Sequence, residues 1–146
     1  MKEIFENNLL VLNDNKCLKD ILLLNEVTSK KGLVLEEKQI FELINYKNDV
    51  LKESGRIEIS PILDKIIYEF YNSPYVDEEN YLLTIEQLTE TFYLYQKEFD
   101  NKLTDEEIIE YLKENFNNNC AGSITLLESD AMEELKSLLL SGEYYE

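Results

Sequence analysis

Histidine and tryptophan are absent from this 146-residue chain, and arginine occurs once against thirteen lysines. Each absence removes some chemistry. Without histidine the chain lacks the commonest general base, the usual partner of a Ser or Cys nucleophile, and the commonest zinc ligand. The Glu-x-x-His pairs of di-iron bundles are excluded for the same reason. Two cysteines, Cys17 and Cys120, cannot complete a structural zinc site within one chain and make no disulfide framework. They are expected to be reduced, partly buried thiols in a cytosol. Four glycines leave little material for a phosphate cradle, and neither Gly-x-x-x-x-Gly-Lys-Ser/Thr nor Gly-x-Gly-x-x-Gly occurs. No EF-hand loop is present. The missing tryptophan removes the commonest sugar-stacking side chain. Paired carboxylates such as Glu36-Glu37, Glu78-Glu79 and Glu106-Glu107 remain, but each lies in the first turns of an expected helix, where acids complement the macrodipole. These absences point to a protein that is not an enzyme and has no catalytic residue, cofactor or metal.

Basic charge and long apolar runs are also scarce. Thirty-one acids against fourteen bases leave a net charge of −17. A surface of that sign repels phosphate backbones and anionic lipid, so neither nucleic acid nor a membrane is an expected partner. A mimic of nucleic acid would need carboxylates in a regular line, and those at 78, 79, 86, 90, 98 and 100 are scattered. The longest apolar runs, Leu9–Leu12 and Ile21–Leu24, fall far short of the ~18 residues that span a bilayer. The opening "MKEIFENN" lacks the order of a signal peptide. A cytoplasmic location follows as the expectation. The preference for Lys, Asn, Ile, Tyr and Glu suggests an AT-rich bacterial genome. Such a genome favours lysine codons, so the lone Arg56 is a choice that drift makes less easily.

What is present is helical periodicity. The length suits one domain, residues 1–146, with the first ~14 and last ~5 residues peripheral or frayed. The spacing predicts a helix through "NKCLKDILLLNEVTSKK" with Leu18, Ile21, Leu22 and Val27 apolar, ended by Gly32. A second runs from Glu36-Glu37 to Gly55, with Ile40, Phe41, Ile44 and Leu51 on one face. Ser60 and Pro61 suit the N-cap and first position of a third, whose Leu63, Ile66, Ile67 and Phe70 form a stripe before Ser73-Pro74 stops it. Asp77 can cap a fourth and longest helix, about residues 78–100, with a seam of Tyr81, Ile85, Leu88, Phe92, Tyr95 and Phe99 in steps of four and three. Thr104 to Glu107 is a capping box for a fifth, whose inner face is Ile108, Ile109, Leu112 and Phe116. Ser123 and then Asp130 can each start a helix, with Met132, Leu135, Leu138 and Leu139 as the final apolar face, ended by Gly142. Leu9–Leu12 and Arg56–Ile59 read as short extended pieces that could pair as a small ribbon. The expected fold is all-α, a single bundle of about six helices with short connections.

Six residues are candidate binding residues. Arg56, whose planar fork grips carboxylates and phosphates, follows a glycine turn and can tie a helix end to an acid such as Glu58 or one of the long fourth helix, or hold an anion. Tyr75 and Tyr93 belong to a tyrosine surplus (Tyr68, Tyr71, Tyr95, Tyr144 and Tyr145 are others) that exceeds what a core of this size buries, and tyrosine is enriched at interfaces. Tyr93 and Leu94 lie off the seam, where a second apolar face either completes burial or meets a partner. Cys120 and Ser123 flank a helix start, which can lower a thiol's pKa, although the acidic surroundings oppose a thiolate.

The order Gly55-Arg56-Ile57-Glu58, Ser73-Pro74-Tyr75, then Cys120 with Gly122-Ser123 resembles an uncharacterised family of small helical proteins from clostridia and related bacteria, a domain of unknown function. The likeness covers roughly residues 17–140, and departs where family members carry a Thr or Ser cap and this chain has Leu35. It implies a standalone bacterial domain in which these segments are family features. It implies no activity, substrate or catalytic residue. The expected function is therefore non-catalytic binding of a protein partner, or self-association. The alternative is a pocket in which Arg56 holds a small anionic ligand.

Overall fold

Apolar side chains recur every three or four residues along most of the chain, and such runs are helices in the computed structural model, which describes residues 2–56, 61–100 and 102–142, with side chains from Asp14 onward. Among the described residues there are seven α-helices and no strand: α1 (Lys2–Thr28), α2 (Glu37–Glu53), α3 (Leu63–Phe70), α4 (Tyr81–Glu98), α5 (Asp105–Asn117), α6 (Ile124–Glu128) and α7 (Asp130–Ser141). The all-α architecture is as expected. The last helical segment is split at Ser129, which leaves α6 and α7 as separate elements.

Polar contacts between helices set their directions. Lys65 of α3 meets Glu106 of α5 at 3.4 Å, Glu69 meets Lys113 at 3.0 Å, and the Ser73 hydroxyl donates to Asn117 at 2.6 Å. Rising numbers pair with rising numbers, so α3 and α5 run the same way. By the same logic α2 and α4 are parallel, since the Tyr46 hydroxyl donates to Glu90 and Arg56 faces Asp100. In α1, Asp14 lies against Lys47 and Asn48 of α2 while Asn25 bonds Leu35, so these two helices are antiparallel. Thr91 with Glu128, and Glu98 with Lys136, align α6 and α7 with α4. Helices α1, α3 and α5 thus point one way and α2, α4 and α6–α7 the other, as short connections between neighbours require.

Helix α4 lies at the centre and packs on α2, α3, α5 and α6. All six residues of its predicted seam are buried, and so are Thr84, Thr89, Thr91 and Tyr93. Thr89 and Thr91 satisfy their hydroxyls on the carbonyls of Ile85 and Gln87, one turn back. The stripes of α3 and α5 are buried as expected. The Thr104–Glu107 capping box forms, and a second box joins Glu36 to Gln39 at the start of α2.

Several expectations are corrected. Leu9–Leu12 is helical, not extended, since α1 begins at Lys2. A four-residue apolar run does not distinguish strand from buried helix, and leucine favours the helix. The expected ribbon therefore loses one strand, and Ile57–Ile59, its other half, lies outside the described residues with Glu58 and Ser60. Helix α3 starts at Leu63, so Pro61 precedes it rather than opening it. Helix α4 starts at Tyr81, because Asp77 and Asn80 exchange side-chain-to-backbone bonds of 2.8 and 2.9 Å and close a separate turn first. Leu22 and Phe41 face outward, and Leu24, Thr28 and Leu43 take the inner positions assigned to them.

Candidate functional site

The candidate residues separate onto two ends of the bundle and its interior. At one end, α2 closes with a Schellman motif. The Gly55 and Arg56 amides donate to the Lys52 and Leu51 carbonyls at 3.1 and 2.9 Å. That turn aims the Arg56 side chain at the far end of α4, where one guanidinium nitrogen lies 3.8 Å from the Asp100 carboxylate. Arg56 thus links the carboxyl ends of two parallel helices. Cationic charge is favourable there, because both macrodipoles present their negative ends. The expected acidic partner on or beside the fourth helix is present. Glu58 lies outside the described residues.

At the opposite end, two segments distant in sequence come together. After α5, the Cys120 amide donates to the Asn115 carbonyl and the Gly122 amide to that of Phe116, both at 2.8 Å. Ala121 and Gly122 take left-handed backbone with φ of 47° and 81°. This reversal presses Gly122 against Tyr75: a Cβ there would lie 2.7 Å from the Tyr75 Cβ and Cγ. The Tyr75 ring packs on Phe116 with centroids 6.2 Å apart. Ser73 holds the tyrosine's backbone, its hydroxyl accepting from the Tyr75 amide at 3.2 Å while donating to Asn117. Ser123 caps α6 by accepting from the Leu126 amide. The Ser-Pro-Tyr and Cys-Ala-Gly-Ser segments therefore form one junction between the α3–α4 and α5–α6 connections. The side chains of Ser73, Tyr75 and Ser123 are engaged in folding contacts, and that of Cys120 is buried.

Cys120 is buried beside this junction. Burial pushes its thiol pKa up, and the nearby Asp130 and Glu134 carboxylates push it further. The helix start does not activate it. Cys17 is buried as well. Tyr93 is 4% exposed and belongs to the core, whereas Leu94 is exposed. The off-seam face thus completes burial at Tyr93. Tyr95, counted in the surplus, is also core. Its hydroxyl donates to the Leu127 carbonyl, and the Tyr111 hydroxyl donates to that of Ala131. The α6–α7 break at Ser129 leaves the Leu127 carbonyl in the last turn of α6, so the buried Tyr95 hydroxyl meets a need the split helix creates, while the Tyr111 hydroxyl adds a bond to a carbonyl in the first turn of α7. Tyr68 and Tyr75 remain exposed.

Two surface features were not legible in the sequence. Across α2, α4 and α6, the carboxylates of Glu86, Glu90 and Glu128 stand near Tyr46, and Glu42 stands beside Glu86. Partial burial and then the neighbouring Glu42 raise the Glu86 carboxyl above its ordinary range. The Tyr46 hydroxyl is raised too, first by burial and then by Glu90. The second feature is a groove of about 650 Å³ where α1, α3 and α5 meet at the surface. Leu23, Leu24, Tyr68 and Ile109 give it apolar walls, and Asp20 and Asp64 stand beside them. One oxygen of Asp64 is shut from solvent and has no hydrogen-bond partner among the described residues. Asp20, Leu23 and Leu24 fall within the first expected helix, but they lie off its expected stripe and their meeting with Asp64 and Tyr68 was not legible.

No described helix is long and apolar enough to cross a membrane, and among the described residues no cluster of His, Cys, Asp and Glu could hold a metal ion. Searches of curated proteins and of solved structures return no match. A family profile does match, over residues 20–143, and this range contains all six candidate binding residues. The chain belongs to the family of unknown function DUF6323.

Proposed function

We propose that this chain is a non-catalytic, acidic helical protein of a bacterial cytoplasm, and that it acts by binding another protein. The reading rests on the groove between α1, α3 and α5. Leu23 is 62% exposed and Tyr68 56% exposed at its walls, side by side with the carboxylates of Asp20 and Asp64. Apolar side chains left in water beside uncompensated charge are what a protein interface needs: area to bury and polar groups to fix orientation. The net charge of −17 adds a long-range attraction for a basic or mixed partner. The alternative, a small anionic ligand at Arg56, has less support, because that guanidinium already faces Asp100.

Affinity capture from the native lysate, with nuclease treatment, tests the reading using wild type and Tyr68→Ala as baits. Tyr68 is exposed, so its truncation leaves the fold intact. A stoichiometric protein held by wild type and lost by Tyr68→Ala supports an interaction through this groove. A wild-type bait that is monomeric and retains no stoichiometric protein refutes it.

A further inference from the structure

We propose that the groove between α1, α3 and α5 receives an amphipathic helix of a partner protein, with an arginine of that helix anchored on Asp64. The inference rests on the interaction reading and names the partner's chemistry. Three observations carry it. The first is the shape and lining of the groove: about 650 Å³, walled by Leu23, Leu24, Tyr68 and Ile109. On α1, residues 16, 20, 23 and 24 face it, a stretch of about two helical turns and roughly 12 Å. A helix laid in a groove of that length presents two successive turns, which is the usual spacing of helix anchors.

The second observation is Asp64 itself. Its inner oxygen is shielded from water yet accepts no hydrogen bond from a described residue. A buried acceptor left unsatisfied is unfavourable in the free protein. Turning the carboxylate outward into the groove sacrifices no bond at that oxygen. An arriving donor therefore gains a bond without breaking one.

The third observation is the local charge balance. Six charged residues line the groove: Lys16, Asp20, Asp64, Lys65, Glu69 and Glu106. Lys65 is held by Glu106 at 3.4 Å, and Glu69 by Lys113 at 3.0 Å. No ion pair engages Asp20 or Asp64 among the described residues, and Lys16 is the one lining cation outside these pairs. The unbalanced charge is negative and lies beside the apolar walls. A guanidinium matches that arrangement better than an ammonium. It can bond a carboxylate through two nitrogens while its flat face lies on Tyr68.

The test is a titration of isotope-labelled protein with synthetic amphipathic helices, followed by amide chemical shifts at physiological salt. One peptide carries leucines with arginines at i and i+4; a second has lysine in place of arginine; a third has the arginine peptide's composition in scrambled order. The expected result is that the arginine peptide shifts amides of α1 and α3 around Leu23 and Tyr68 and binds more tightly than the other two. Asp64→Asn should weaken it roughly ten-fold or more, as loss of a charged hydrogen bond does, without lowering thermal stability. Glu90→Gln, on the remote α2–α4 face, should leave it unchanged. Equal binding of all three peptides, shifts confined to the Glu86–Glu90 face, or equal losses in Asp64→Asn and Glu90→Gln would overturn the proposal. A lysate partner captured through Tyr68 with no peptide seated in the groove would sink the arginine anchor and leave the interaction reading standing. Failure of both experiments removes both.

Discussion

Replacing Gly122 by alanine puts one methyl group into the contact that joins the two connections at one end of the bundle. Its effect has two separable parts. The first is the backbone, since φ at this position is 81° and an L-residue there costs about 1–2 kcal/mol. The second is steric. The new Cβ would stand 2.7 Å from the Tyr75 Cβ and Cγ and 2.9 Å from its Cδ1, closer than real contacts allow. Tyr75 is 39% exposed, so its ring can move outward, but only by leaving Phe116. Overpacking of this kind costs about 1–3 kcal/mol. Alanine recovers about 0.4–1 kcal/mol by restricting the unfolded chain. The net expectation is a loss of roughly 2–4 kcal/mol.

Gly55 supplies the control. Its φ is 68° and a Cβ there meets nothing within 4 Å, so Gly55→Ala carries the backbone cost alone, about 1 kcal/mol net. Urea unfolding followed by far-UV circular dichroism measures both, with the slope checking that the transition is unchanged. A Tyr75→Gly background removes all three contacting atoms. There Gly122→Ala should fall to the Gly55→Ala value. If Gly122→Ala costs no more than Gly55→Ala, or costs the same with and without the Tyr75 side chain, the account of the junction is wrong.

Tyr95→Phe removes the donor to the Leu127 carbonyl in a fully buried site and should cost about 1–3 kcal/mol in the same unfolding assay; a loss below about 0.5 would show that the α6–α7 break does not depend on that bond. Arg56→Ala should fold and lose less than about 1 kcal/mol, because the pair is long and Asp100 is 61% exposed; failure to fold would show that Arg56 does more than join two helix ends. Glu86→Gln tests the carboxylate face. The folded pKa of Glu86 is raised above its ordinary 4.5, so ionisation is resisted in the fold. The penalty is absent below the unfolded value, appears as pH rises through it, and is complete above the folded value. Glu86→Gln should therefore stabilise at neutral pH, with the gain fading as pH falls below the ordinary carboxyl value, read from melting temperatures across pH. A gain that persists in acid would contradict this.

Local patterns along the chain were enough for the class of structure and most of its helices. Stripes such as Leu63, Ile66, Ile67 and Phe70, or Ile108, Ile109, Leu112 and Phe116, bury as their spacing requires, because a helix of 3.6 residues per turn leaves such residues one inner face. The Thr104–Glu107 box and the left-handed Gly55 are likewise local, set by bonds within a few residues. Helix starts were less legible. Asp77 has the chemistry of a cap but spends it on a turn with Asn80, a competition that a list of cap residues does not resolve. Tertiary structure alone decided which tyrosines are core and which are surface. Tyr93 is buried because α4 has neighbours on several sides, and periodicity along one helix carries no information about how many helices surround it. It also decided that Tyr75 meets Gly122, that Arg56 lies at the other end from both, and that Asp64 and Leu23 share a groove. Those juxtapositions depend on helix directions and register across separations of forty residues or so, and contacts of that range are fixed by packing of whole faces rather than by any local signal.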